Sequence, residues 1–253
     1  MIGGSSLIAD LRKAKSVVVF TGAGASAESG IATFRDRQTG LWANFDARVL
    51  ATPAAFERDP SLVWGWYEWR RTIVRRARPN EAHLAIAVMA KAVSRFSLVT
   101  QNVDDLHERA GSVSVIHLHG ELERPYCETC GSPYEFPKEN PVEVFEGRRI
   151  EPPRCLACAG RIRPGVVWFG EALPARAWDA AVSAATHCDA FLTVGTSSIV
   201  QPAASLTEIA KLAGAVTIQV NPSPTELDGH VTHTLCGRAG TVLPLLVADV
   251  WGC

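Results

Sequence analysis

Short apolar runs recur along the chain, separated by longer amphipathic stretches. The runs fall at residues 16–20, 96–100, 113–118, 165–169, 190–194, 215–220 and 231–235. Most are β-branched and end at Gly, Asn or polar residues, which predicts buried strands of a parallel sheet. Residues 81–93, 105–109, 174–186, 202–212 and 239–250 read as helices, with Pro174 and Pro202 suited to a first turn. This alternation predicts an α/β fold, a Rossmann-like doubly wound parallel sheet with right-handed crossovers.

Two segments break the pattern. Residues 36–79 are rich in Trp and Arg and read as helical, whereas residues 123–163 hold several prolines and little periodicity. Both are expected to be inserts. The chain then divides into a discontinuous sheet domain (1–35, 80–122 and 164–253) and a small helical and metal-binding module (36–79 and 123–163).

Composition narrows the function. A chain of 253 residues, 47% hydrophobic and 20% charged, suits an ordinary globular protein. Its formal net charge of −1 provides no basic excess to neutralise phosphates, so nucleic-acid binding is disfavoured. The first apolar run is too short for a signal peptide or a membrane span. A cytoplasmic monomer with no membrane partner is therefore expected.

Seven cysteines are present. Cys127-x-x-Cys130 and Cys155-x-x-Cys158, with 24 residues between the pairs, are a strong metal signal. Four thiolates suit a closed tetrahedral zinc site with a structural role, since no coordination position is left open for chemistry. Free or disulfide-linked cysteines are the alternative.

Residues 17–21 run straight into Gly22-Ala23-Gly24-Ala25-Ser26. A strand, a Gly-rich turn and a helix start can cradle a phosphate, because glycines admit a close anion and the helix N-terminus offers N–H groups. By itself Gly-x-Gly also fits a plain tight turn. The continuation is more specific. Residues 22–35, ending in Ser29-Gly30-Ile31-Ala32-Thr33-Phe34-Arg35, resemble the signature with which sirtuins wrap NAD, except that Ala32 stands where the family usually has Pro. Further on, Thr100-Gln101-Asn102-Val103-Asp104, Leu106-His107 and Ile116-His117-Leu118-His119-Gly120 are similar to the family's central motifs. The resemblance extends over residues 9–246, with the motifs in order.

It implies an NAD-dependent protein-lysine deacylase. NAD would be consumed as a co-substrate, zinc would be structural, and acyl-lysine proteins or peptides would be the partners. Gly22, Ala23, Gly24, Ser26, Phe34 and Arg35 would hold NAD, with Phe34 shielding the reactive centre from water. Gln101, Asn102 and Asp104 would line the nicotinamide-ribose pocket, and His119 would be the general base. An imidazole near its ordinary pKa of ~6.5 can take a ribose hydroxyl proton at neutral pH. His83, His107 and His117 are expected to be structural. Gly195, Thr196 and Ser197 suit phosphate or ribose contacts. Asn221 should reach the adenosine ribose, although Pro222 follows where many members have an acidic residue. Gly237 and Ala239 resemble the segment near adenine. Val166, Phe169, Gly170 and Glu171, together with Ile199 and Val200, match the two stretches that sandwich substrate as an added strand. Gly165 stands where a larger residue is common.

Specificity rests on Trp64-Gly65-Trp66-Tyr67-Glu68-Trp69-Arg70-Arg71. On a helix Tyr67 and Arg70 share a face, and an arginine fork with a phenol can hold a carboxylate. Spacing alone leaves open that the tryptophans are packing and the arginines a solvated face. The pair, however, resembles the Tyr-x-x-Arg of the class III branch, whose members favour acidic acyl groups. A desuccinylase or demalonylase with some deacetylase activity is expected. Mainly deacetylation, or ADP-ribosyl transfer, is the alternative. A dehydrogenase would need an acidic residue at a strand end about 20 positions after the glycines, and Asp46 lies in the insert instead.

Overall fold

The computed structural model describes residues 4–32, 47–137 and 148–252. Phe34, Arg35 and Asp46 lie outside them. In chain order the strands are β1 (Ser16–Thr21), β2 (Arg95–Thr100), β3 (Ile116–His117), β4 (Tyr126–Cys127), β5 (Ile162–Arg163), β6 (Ala190–Val194), β7 (Val216–Asn221) and β8 (His233–Cys236). The helices are α1 (Gly4–Lys13), α2 (Ala23–Ala27), α3 (Ala47–Leu50), α4 (Pro53–Arg58), α5 (Pro60–Arg76), α6 (Glu81–Ala92), α7 (Leu106–Arg109), α8 (Ala175–Thr186), α9 (Leu206–Leu212) and α10 (Ala239–Trp251).

Six strands form one sheet in the order β3-β2-β1-β6-β7-β8, parallel throughout. Successive strands step away from β1 in one direction and from β6 in the other. The C-terminal ends of β1 and β6 are therefore the switch point at which connections diverge and a crevice opens. Helices cover both faces. Leu7, Leu11, Ile86, Met89, Leu243 and Leu246 pack on Val17 and Val19, while Ala181, Ala185, Leu206 and Ala210 pack on Val18 and Phe20. Successive side chains of one strand thus enter opposite cores. Both faces being apolar, the central strands read as continuous hydrophobic runs rather than alternating ones.

A third core gathers Phe56, Val63, Trp64, Trp66 and Tyr67 with Leu122, Ile162 and Trp168. Its backbone is α5, whose start is set by Asp59, which accepts from Leu62 N at 3.2 Å, and by Pro60 in the first turn. Against it lies the antiparallel ribbon of β4 and β5. Among the described residues no helix is long and apolar enough to cross a membrane.

Two expected strands are corrected. The run 113–118 contracts to β3, which pairs only through Val99↔Ile116 and Thr100↔His117. The run 165–169 joins no ladder and makes one bridge, Gly120↔Val166. Its backbone groups go to separate loops instead: Glu121 N donates to Gly165 O at 2.8 Å, Val167 N to His119 O at 2.8 Å, and Phe169 N to Ala51 O at 2.9 Å. Satisfied one by one, these groups keep the segment extended without a sheet neighbour. Pro174 and Pro202 sit just before their helical turns, at the capping positions.

Candidate active site

A cleft of about 690 Å³ opens at the switch point. It collects Gly22, Ala23, Gly24 and Ser26 after β1, Gln101, Asn102 and Asp104 after β2, and Gly195, Thr196, Ser197 and Val200 after β6. Asn221 at the end of β7, Ala239 of α10, His119, Tyr67 and Arg70 of α5, and Val166, Phe169, Gly170 and Glu171 complete the wall. Two expected residues are not brought in. Ile199 is half exposed outside the lining. Gly237 donates its N–H to Asn221 O at 3.0 Å, and a Cβ there would meet Val242 Cγ2 at 2.6 Å. Its place is in the β7–β8 edge under α10.

The fold gives the glycines a reason of its own, beside the close anion the sequence suggested. A Cβ on Gly22 would stand 2.8 Å from Thr196 Cβ, and one on Gly24 would stand 2.7 Å from Gly195 O. Gly195 itself has φ +61 and faces Ala25 N. Glycine is demanded by the close approach of two loops across the switch point. The loops are also pinned by polar groups. Gly24 N donates to Gly195 O at 2.7 Å, Gln101 Nε2 to Thr196 Oγ1 at 3.0 Å, and Asn221 Nδ2 to Thr196 O at 2.8 Å.

Beneath them runs a buried relay. Asn80 N donates to His83 Nδ1 at 3.2 Å within the cap of α6, so His83 carries its hydrogen on Nε2, 3.3 Å from Ser26 Oγ. Ser26 also accepts from Asn102 Nδ2 at 3.1 Å and donates to Asp104 Oδ2 at 3.1 Å. Leu106 N reaches Asp104 Oδ1 at 3.2 Å. Burial raises the Asp104 pKa against the opposing pull of these bonds and lowers that of His83 to about 4.

The histidines separate clearly. His107 is buried, its Nε2 2.9 Å from Thr21 Oγ1, and burial takes its pKa down to about 3. For His117, burial opposes charge, but the bond of Nε2 to Glu108 at 2.8 Å outweighs it and the pKa rises. In His119, Nδ1 lies 3.1 Å from Gln101 O. A carbonyl only accepts, so Nδ1 carries the hydrogen and Nε2 keeps its lone pair. Burial lowers the His119 pKa, and the Gln101 carbonyl partly offsets it.

At the α5 side, Tyr67 is buried and accepts a hydrogen bond from Trp168 Nε1 at 3.0 Å. Burial pushes its pKa up to about 12, so the phenol stays neutral. Arg70 is half-buried, its guanidinium 4.9 Å from the Trp66 ring centre. Burial lowers its pKa, countered by Tyr67 and Asp104. The arginines are not a solvated face: Arg71 is buried, paired with Glu68 at 2.7 Å and set 3.1 Å over Phe136. Glu171 turns its carboxylate inward, taking Arg163 at 2.6 and 2.8 Å and Trp168 N at 2.8 Å. Sequence reasoning missed Trp168 and Arg163. The first was hidden in an apolar run, and no spacing marks the second.

The cysteines converge behind this wall. All four sulfurs lie within 4.8 Å of one another, Cys127 being 3.5 Å from Cys158 and Cys130 3.7 Å from Cys155. Sulfurs ~2.3 Å from a common tetrahedral centre stand ~3.8 Å apart, so the set fits zinc with no position left over. Gly160 is required here, since a Cβ would come within 3.0 Å of Cys127 Sγ.

Comparison with known proteins agrees with this geometry. The Sir2 family model matches residues 22–202. An NAD-dependent protein deacylase of Methylococcus capsulatus is 57% identical over 241 residues, covering 95% of this chain and 94% of that protein. NAD-dependent protein deacylase 1 of Pseudomonas aeruginosa is 57% identical over 237 residues, 94% and 95% of the two chains. The solved Sir2 homolog–NAD complex superposes with a TM-score of 0.89 at 44% identity, covering 98% of this chain and 93% of that one. A Sir2–p53 peptide–NAD+ complex does so with a TM-score of 0.83 at 27% identity, covering 97% of each.

Proposed function

This chain belongs to the Sir2 family, and on that premise we propose that it is an NAD-dependent protein deacylase working best on lysines that carry an acidic acyl group, succinyl or malonyl, with slower action on acetyl-lysine. NAD would supply an anomeric carbon that gives up nicotinamide and takes the acyl oxygen; the acyl carbon then passes to a ribose hydroxyl, the lysine nitrogen leaves and one water is taken up, so the products are free lysine, nicotinamide and O-acyl-ADP-ribose. The chain's own residues bind, orient and move one proton. Gln101, Asn102 and Asp104 present fixed donors and acceptors to the nicotinamide ribose, Gln101 held by Thr196 and the other two held from behind by Ser26, which His83 steadies in turn. Gly195, Thr196, Ser197, Asn221 and Ala239 serve the pyrophosphate and adenosine. His119 takes a ribose hydroxyl proton at Nε2, the nitrogen that the Gln101 carbonyl leaves unprotonated. The peptide lies between the backbones of residues 166–171 and 197–200, adding a strand whose hydrogen bonds ask little of its sequence.

The observation that carries the acyl preference is the presence of Tyr67 and Arg70 in the same cleft as His119. A guanidinium, and a neutral phenol through its O–H, can both donate to a free carboxylate at the end of the acyl chain. The test is mass spectrometry of paired peptides, succinylated or acetylated on the same lysine and incubated with NAD. Wild type should remove succinyl faster, and Arg70→Met should lower kcat/KM for succinyl by roughly 10- to 100-fold, the size of a lost charged hydrogen bond. A strong acetyl preference left unchanged by Arg70→Met would defeat the acidic-acyl reading while leaving the deacylase intact.

A further inference from the structure

Tyr67 can recognise a carboxylate only if its hydroxyl donates. A phenol oxygen both donates and accepts, and the neighbouring Arg70, itself only a donor, competes to make it an acceptor. The structure resolves this competition through Trp168. The indole Nε1–H donates to Tyr67 Oη at 3.0 Å, which fills the accepting side and turns the phenolic hydrogen the other way. Trp168 is itself fixed on three sides. Its backbone N–H is held by Glu171 at 2.8 Å. Its ring face carries the Arg163 guanidinium at 3.6 Å, which also grips both oxygens of Glu171 and donates to Val166 O at 3.1 Å. Phe56 packs against the ring with centroids 5.2 Å apart. Both Arg163 and Trp168 are nearly fully buried, so the ring has no room to swing.

We infer that Trp168 is a specificity-determining positioning residue: clamped by Arg163 and Glu171, its indole N–H holds the Tyr67 hydroxyl in the orientation that donates to the carboxylate of an acidic acyl group. This rests on the acyl-pocket reading above. Trp168 does not touch the reacting atoms and acts through Tyr67. Phenylalanine at this position keeps an aromatic ring beside Arg163 but removes the indole N–H together with part of the bicyclic ring, which is why the acetyl peptide and the double variant are needed as controls. The Tyr67 hydroxyl is then released to turn toward Arg70, and the phenolic donor is lost to the substrate while the guanidinium keeps its remaining N–H groups.

The experiment measures kcat and KM on the paired succinyl and acetyl peptides for wild type, Trp168→Phe, Tyr67→Phe, the double variant and Arg70→Met. Trp168→Phe is expected to lower the succinyl-to-acetyl ratio of kcat/KM about tenfold, through KM for the succinyl peptide rather than kcat. In the double variant the ratio should be no lower than in Tyr67→Phe alone, because an indole that acts through the Tyr67 hydroxyl has nothing left to orient once that hydroxyl is gone. If Trp168→Phe weakens both peptides alike, or its effect adds in full to that of Tyr67→Phe, the positioning role is overturned and the residue is only packing. A lowered ratio in Arg70→Met with an unmoved ratio in Trp168→Phe overturns the role of Trp168 alone. An unmoved ratio in Arg70→Met overturns the pocket beneath it.

Discussion

The imidazoles differ by what their nitrogens meet, and their chemistry follows. His83 and His107 are buried among neutral partners, and burial holds them unprotonated, at pKa values of about 4 and 3. His117 is bonded at one nitrogen to Glu108 and favours the charged form. His119 combines a fixed Nδ1–H with a basic Nε2 and a pKa that burial lowers. A general base works while neutral, and a lowered pKa extends the neutral form to more acidic solution. We therefore expect kcat/KM to stay level as pH falls through ~6.5, the ordinary imidazole value, and to decline only below it. A pH profile with its acid limb centred above that value would contradict the assignment. In the sequence, His107, His117 and His119 looked alike by type and spacing, and resemblance alone chose among them. Their partners come from different elements, Thr21 from the end of β1, Glu108 from α7 and the Gln101 carbonyl from just after β2, so no local pattern could have separated their roles.

At the scale of elements, the segment 165–171 was the least legible. Its apolar residues have the composition of a strand, yet composition does not reveal where the N–H and C=O groups go. Here they tie His119, Ala51 and Glu121 to one stretch of backbone, so this segment and His119 are held in place together. Gly165 is the tightest point of that stretch. A Cβ would lie 1.9 Å from Arg124 O and 2.7 Å from Glu121 O, backbone atoms that cannot rotate away. Overpacking of this kind typically costs about 1–3 kcal/mol, which corresponds to a drop in Tm of roughly 3–10 °C for a chain of this size. Gly165→Ala should melt lower by that amount and should also lose kcat/KM on every acyl peptide, because the wall and His119 shift together. An unchanged melting curve would show that the 121–124 turn yields easily. By contrast β1, β2, β6 and β7 were readable within a residue or two. The central pair β1 and β6, buried on both sides, has no solvent face to interrupt the apolar run.

For the whole molecule, the described residues hold two kinds of core that depend on different things. The sheet carries a helix-covered core on each face, and neither contains a cysteine of the metal set. The third core contains Cys127 and Cys155 together with Tyr67, Trp168 and Ile162. The paired Cys-x-x-Cys spacing made the metal site legible, but not what it supports. In the folded chain, β4 carries Cys127 and pairs with β5, which carries Arg163, and Arg163 grips Glu171 and Trp168, the latter bonded to Tyr67. In small metal-bound units the binding free energy is largely folding free energy, so removing zinc should loosen the ribbon and the pocket wall together. The sheet, with its own cores, should remain. Purified protein is expected to contain one zinc per chain by elemental analysis. Chelation should abolish deacylation and change near-ultraviolet circular dichroism, through the tryptophans of the third core, while far-ultraviolet helical signal is mostly kept. Readdition of zinc under reducing conditions should restore both. If the chelated, metal-free protein kept full activity toward succinyl and acetyl peptides, the dependence of this wall on the cysteine ribbon would be refuted, and Glu171, Val166 and Trp168 would suffice to hold Arg163 without the metal.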